Sequence, residues 1–133
     1  MRVTIVKRPI KRHRNPQSES KLKRAILVYL NLRGYVAFPI RTGGTWDEKN
    51  RGYIPNQQQT GIADILGIIP PSKSGEKFGI PLAIEVKSKS GKLSEYQVEF
   101  RAMWEVGGGV YCCAYSLDDV IELFDKVVKG GVR

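Results

Sequence analysis

The sequence predicts a single α/β domain built on a mixed four-stranded sheet flanked by helices, with elements in the order α-β-β-β-α-β-α. Three observations lead there. The chain has 133 residues with 41% hydrophobic side chains, enough for one core and too short for two domains. Residues 62–69 and 82–88 are short runs that are apolar on both faces, as strands covered by helices on each side require. Helical periodicity flanks these runs, with serine caps at Ser94 and Ser116.

Taken in order, Ser18 precedes a stretch in which Leu22, Ile26, Tyr29 and Leu30 recur at helical spacing, and Gly34 stands where a helix stop is expected, so residues 19–33 read as a helix. Residues 35–41, rich in β-branched and aromatic side chains, read as a strand. Residues 42–60, with Gly43-Gly44, Asn50, Gly52, Pro55 and Gln57-Gln58-Gln59, show neither periodicity. A connection of that length in a small domain is usually functional or disordered. The strand over 62–69 is followed by a loop over 70–79 and by its hairpin partner over 82–88. Ser94 with Gln97 forms a capping-box pattern opening a helix to about residue 106, before Gly107-Gly108-Gly109. Residues 110–115 form the next strand. Ser116 caps a last amphipathic helix carrying Leu117, Val120, Ile121, Leu123, Phe124 and Val127.

Charge and cysteine content narrow the function. The 22 Lys and Arg outnumber the 13 Asp and Glu, a net charge of +9. Residues 1–24 hold nine of the basic groups and one acid, whereas the remainder is nearly balanced. Residues 1–17 therefore read as a basic arm, with Lys7, Arg8, Lys11, Arg12 and Arg14 as candidate phosphate contacts, ahead of a folded domain over 18–133. A solvated tail or a localisation signal is the competing reading. No apolar run approaches the ~18 residues needed to span a bilayer, and the basic N-terminus lacks a secretory signal's apolar stretch. The only cysteines, Cys112 and Cys113, are adjacent, so they suit burial in a strand. An intracellular protein is expected. The single histidine, His13, lies in the arm, which leaves Ser-His, Cys-His and histidine-zinc chemistry without their parts.

The side chains that stand out are charged groups in apolar strands. In the run over 82–88, Leu82, Ile84 and Val86 share one face and Ala83, Glu85 and Lys87 the other. Charges there are costly unless paired or metal-bound. Asp64 follows Gly61-Ile62-Ala63 at the start of the other apolar strand. If the strands pair, Asp64 and Glu85 converge, and two ionised carboxylates call for a hard divalent cation. Magnesium fits, with manganese as a substitute. Lys87 would then orient or help deprotonate a water on the metal and offset charge at phosphorus, which is phosphodiester hydrolysis. Glu19 adds an acid on the inward face of the first helix. A strand-end ion pair, a turn aspartate and a first-turn glutamate are the plain structural readings of the same residues.

Glu19 on a first helix, Gly61-Ile62-Ala63-Asp64, Ile84-Glu85-Val86-Lys87 and Gly91-Lys92-Leu93-Ser94-Glu95-Tyr96-Gln97 together resemble the VRR-NUC branch of the PD-(D/E)XK nuclease superfamily. The resemblance covers roughly residues 18–124, with four separated motifs in order. Ala63 departs from it, since proline usually precedes the aspartate in that family. The resemblance implies a restriction-endonuclease-like fold and a metal-dependent nuclease, with Asp64, Glu85 and the Val86 carbonyl as metal ligands and Lys87 as the water-orienting group. It further implies Glu19 as an additional acidic ligand, direct or through water, and Gln97 as a support for Lys87 or the substrate. Small stand-alone members, like the similar archaeal Holliday-junction resolvases, act on branched DNA as homodimers.

Arg41, Arg51 and Lys89 are further candidates for DNA contact. Trp46, Lys49 and Tyr53 offer additional charge and rings on which exposed bases could stack. The expected activity is a magnesium-dependent endonuclease for branched DNA. The alternatives are a nickase or restriction-type nuclease for plain duplex or single strands, and a non-catalytic nucleic-acid-binding module.

Overall fold

The computed structural model of the chain describes residues 16–41, 45–54, 60–71 and 76–129. The arm residues Lys7, Arg8, Lys11, Arg12 and Arg14, and His13, lie outside these. Helix α1 runs Pro16–Leu32. It begins earlier than the spacing of apolar side chains suggests, because proline suits a first helical turn, where its missing N–H is not needed. Gly34, at φ +74°, ends the turn that follows. Strand β1 covers Val36–Pro39.

Part of the segment over 42–60 has regular structure, contrary to expectation. Strands β2, Thr45–Asp47, and β3, Gly52–Ile54, form an antiparallel hairpin with Trp46 opposite Tyr53. Asp47 organises its turn: Oδ1 accepts the Lys49 N–H at 3.0 Å and Oδ2 accepts the Asn50 amide at 2.7 Å. Strands of three residues are too short to display an alternation, so the sequence pattern there was blank.

Strand β4 is Ile65–Ile69 and β5 is Ile80–Val86. Helix α2, Glu95–Val106, opens with the Ser94–Gln97 capping box. Strand β6, Val110–Ala114, leads into helix α3, Leu117–Phe124, capped by Ser116 with Asp119 and continued by a π-helical turn over Asp125–Lys129. The main sheet has the order β1-β4-β5-β6. β4 lies antiparallel between β1 and β5, and β6 lies parallel to β5. It is thus a mixed four-stranded sheet, with α2 as the crossover between its two parallel strands.

The alternation of side chains decides what each face meets. Ile65, Ile69, Leu82, Ile84 and Val86 point toward α1 and α3, where Ile26, Leu30, Val120 and Phe124 close the larger core. Ala83 and Tyr111 point the other way, onto Phe100 of α2. Helices therefore cover both faces, as the two-sided apolar strands demanded. Helix α2 is the only helix on its side among the described residues, and Val36, Phe38 and Ile68 near the β1 edge stay about half exposed. No helix among the described residues is long and apolar enough to cross a membrane.

Ile84 is fully buried at the centre of the larger core. Truncating it leaves a cavity lined by α1 and α3, so Ile84→Ala should lower unfolding stability by ~2–5 kcal/mol in urea melts. A loss under ~1 kcal/mol would contradict its central place.

Candidate active site

The β4–β5 register pairs Ile65 with Ile84. One step further along both strands, Asp64 stands opposite Glu85 on the α2 side of the sheet, because in an antiparallel pair opposed residues share a face. The main chain fixes Asp64 on two sides. Its carbonyl accepts the Ile40 N–H at 2.8 Å, and its Oδ2 accepts the Val86 N–H at 2.8 Å. The second bond aligns the carboxylate with the end of β5.

Glu85 is 3% exposed. Gln97 Nε2 donates to its Oε1 at 2.8 Å, and Lys87 Nζ lies 3.6 Å from the same oxygen. Its other oxygen, Oε2, is buried without a hydrogen-bond partner. Burial first, and the negative charge of Asp64 second, push the Glu85 carboxyl up from its usual 4.5 to about 7, against the opposing pull of Lys87. Both expected strand carboxylates therefore meet, and one oxygen of Glu85 is left without a hydrogen-bond partner.

Gln97 caps α2 and also reaches the cluster, where it bonds Glu85 and not Lys87, the partner the resemblance implied. Its Oε1 accepts the Ser94 N–H at 2.9 Å, completing the cap of α2, while its Nε2 holds Glu85. Gly61 makes this approach possible. It has φ +87°, and a Cβ there would strike the backbone of Tyr96 and Gln97 in the first turn of α2.

Lys87 is buried, and its N–H donates to the Ala114 carbonyl at 3.0 Å. Its stem passes close to Gly91, where a Cβ would come within 3.2 Å of Lys87 Cδ. The Tyr115 hydroxyl holds that turn by donating to the Gly91 carbonyl at 3.0 Å. Glu19 is also buried, and its Oε1 accepts the Ser88 N–H at 3.1 Å, tying the start of α1 to the chain leaving β5. No group of three or more His, Cys, Asp or Glu side chains among the described residues is arranged to hold a metal. The immediate acidic pair is Asp64 with Glu85, while Glu19 reaches the backbone beside Lys87.

One member of the cluster was not singled out from the sequence. Lys23 Nζ lies 3.3 Å from Asp64 Oδ1. The available signal was its position four residues after Glu19, which puts both on one face of α1. Among the other candidates, Arg41, Arg51 and Lys89 are exposed, as is Trp46. Arg41 follows Ile40, the residue bonded to Asp64, and Lys89 lies two residues beyond Lys87. Arg51 sits in the β2–β3 turn at φ +47°. Cys112 is buried and Cys113 half-buried, both as free thiols.

No family model matches the chain, and no curated protein or solved structure is similar enough to be matched with it.

Because a methyl at Gly61 violates both its φ and its space, Gly61→Ala should cost ~1–3 kcal/mol, read by thermal or urea unfolding. A neutral effect would contradict the close approach to α2. The Glu85 shift gives a pH dependence. A carboxyl that titrates higher in the folded chain takes up a proton on folding, so it destabilises the fold as pH rises from about 4.5 through about 7. Glu85→Gln should therefore gain stability relative to the unmodified chain by ~2 kcal/mol or more between pH 5 and pH 8, and a difference independent of pH would contradict the burial.

Proposed function

We propose that the chain is a magnesium-dependent endonuclease of the VRR-NUC kind, on a restriction-endonuclease-like fold, which hydrolyses phosphodiester bonds in branched DNA as a homodimer. The observation that carries this reading is the meeting of half-buried Asp64 with buried Glu85, one oxygen of which faces Lys87 while the other has no hydrogen-bond partner. Asp64, Glu85 and the Val86 carbonyl are hard oxygen donors. They suit magnesium or manganese, which bind one or two protein carboxylates and keep waters for the remaining positions. When bound, the cation supplies Lewis acidity at the scissile phosphate and lowers the pKa of water.

The chain's own groups supply the rest. The Val86 N–H and the Gln97 amide hold the two carboxylates in place, so the site needs little reorganisation when substrate arrives. Lys87 presents an ammonium to the attacking water and to the charge that grows on phosphorus, from a buried position where that charge is weakly screened. Glu19 acts by holding the Ser88 amide next to Lys87, with a further part as an acidic ligand through water. Arg41 and Lys89, both exposed, would contact the DNA backbone. The hairpin carrying Trp46 and Arg51 offers a ring and a cation to unpaired bases and phosphates. The +9 charge of the chain favours a polyanionic substrate. Symmetric strands at a junction require two such sites, which is the reason for a homodimer.

Cleavage of a four-way junction with magnesium, measured beside a linear duplex of matched sequence, tests the reading. Asp64→Asn should lower junction cleavage ~10²-fold or more while binding stays within a few-fold. Loss of binding and cleavage together in a folded variant, or band shifts without product in the unmodified chain, would contradict it. Cleavage of the duplex at one sequence would reassign the substrate and keep the chemistry.

A further inference from the structure

Each carboxylate of the pair carries one lysine, and the two lysines differ in freedom. Lys87 leaves the end of β5 with an 11% exposed side chain, its stem enclosed beside Gly91. Lys23 comes from α1 with a side chain 33% exposed, so its head can turn toward solvent on a flexible four-carbon stem. Asp64 does not need Lys23 to keep its place, because the Val86 N–H holds Oδ2 while Lys23 faces Oδ1.

We propose that Lys23 is a displaceable counter-ion, which neutralises Asp64 in the metal-free chain and passes to a DNA phosphate when a divalent cation takes Asp64 Oδ1. The proposal rests on the metal-dependent nuclease reading above. An ammonium and a divalent cation repel each other strongly at one partly buried carboxylate oxygen, so the two compete for it. The released ammonium remains on a tether at the mouth of the site, where the incoming substrate supplies the next anion. Lys23 thereby keeps the acidic pair from standing uncompensated before metal arrives, and gives the metal-loaded site an extra contact to the backbone. It is a counter-ion with respect to Asp64 and a substrate-binding residue with respect to DNA.

The test is a titration with Mn2+ in the absence of DNA, followed by the electron paramagnetic resonance signal of the free ion, on the unmodified chain, Lys23→Met, Lys23→Gln and Asp64→Asn. Two substitutions at Lys23 keep the measurement open if one of them folds poorly. Salt dependence of junction binding is measured on the same proteins with Ca2+ present. Expected are Mn2+ binding tightened roughly five-fold or more in the Lys23 variants, and a log–log salt slope smaller by about 1. Unchanged or weaker Mn2+ binding would overturn the proposal, and so would tighter Mn2+ binding with an unaltered salt slope. If the unmodified chain binds Mn2+ no better than Asp64→Asn, the metal-site reading itself fails. That result is distinct from a Lys23 effect missing in a chain that does bind the ion.

Discussion

Repulsion between two carboxylates at the end of a buried strand pair is the constraint around which the rest of the molecule is arranged. Asp64 and Glu85 meet only because β4 and β5 are antiparallel with Ile65 opposite Ile84. A slip of one residue would send Glu85 and Lys87 into the core beneath α1 and α3, and bring Ile84 and Val86 out of it. The core thus specifies the site: the apolar residues that must face Ile26, Leu30, Val120 and Phe124 leave the charged ones nowhere else to go. Helix α2 then fixes Glu85 through Gln97, with Gly61 allowing the helix to come close. Helix α1 closes the other side through Glu19 and Lys23.

These contacts explain why so polar a cluster coexists with a small core. Asp64 has a backbone amide and an ammonium, and Glu85 has a side-chain amide and an ammonium on one oxygen. One oxygen of Glu85 is left over. A structural ion pair would have no use for that remainder, since a buried polar atom without a partner costs stability. The cation site proposed above would use it. Burial and the neighbouring charge of Asp64 together push the Glu85 carboxyl upward.

Much of this was legible in the sequence, and the residues show why. Period-two alternation put Glu85 and Lys87 on one face, and the position of Asp64 before Ile65 made convergence with Glu85 depend on a single assumption, that the two strands pair. The capping pattern at Ser94 and Gln97 located α2 to the residue, because it is encoded locally. Long-range contacts were harder to read. Lys23 lies far from Asp64 in sequence, and its partner follows only from how α1 packs on the sheet. Gln97 looked like a choice between cap and site, yet an amide has two ends and uses both. The β2–β3 hairpin was missed because its strands are too short for any periodicity, with its turn stabilised by Asp47 rather than by a glycine pair. The basic arm was read from charge alone and lies outside the described residues.

The proposed reaction and the proposed substrate rest on different layers of the protein. Hydrolysis would depend on Asp64, Glu85 and Lys87, whose positions the core dictates, whereas a choice of DNA would depend on exposed groups such as Arg41, Arg51, Lys89 and Trp46. The measurement that bears most directly on the buried layer is a crystal of the protein soaked in Mn2+, with anomalous diffraction locating the ion. The account predicts one peak bonded to both Asp64 and Glu85, with Lys23 turned away from Asp64. A crystal that shows no peak there, with Lys23 still seated on Asp64 at high Mn2+, would contradict it.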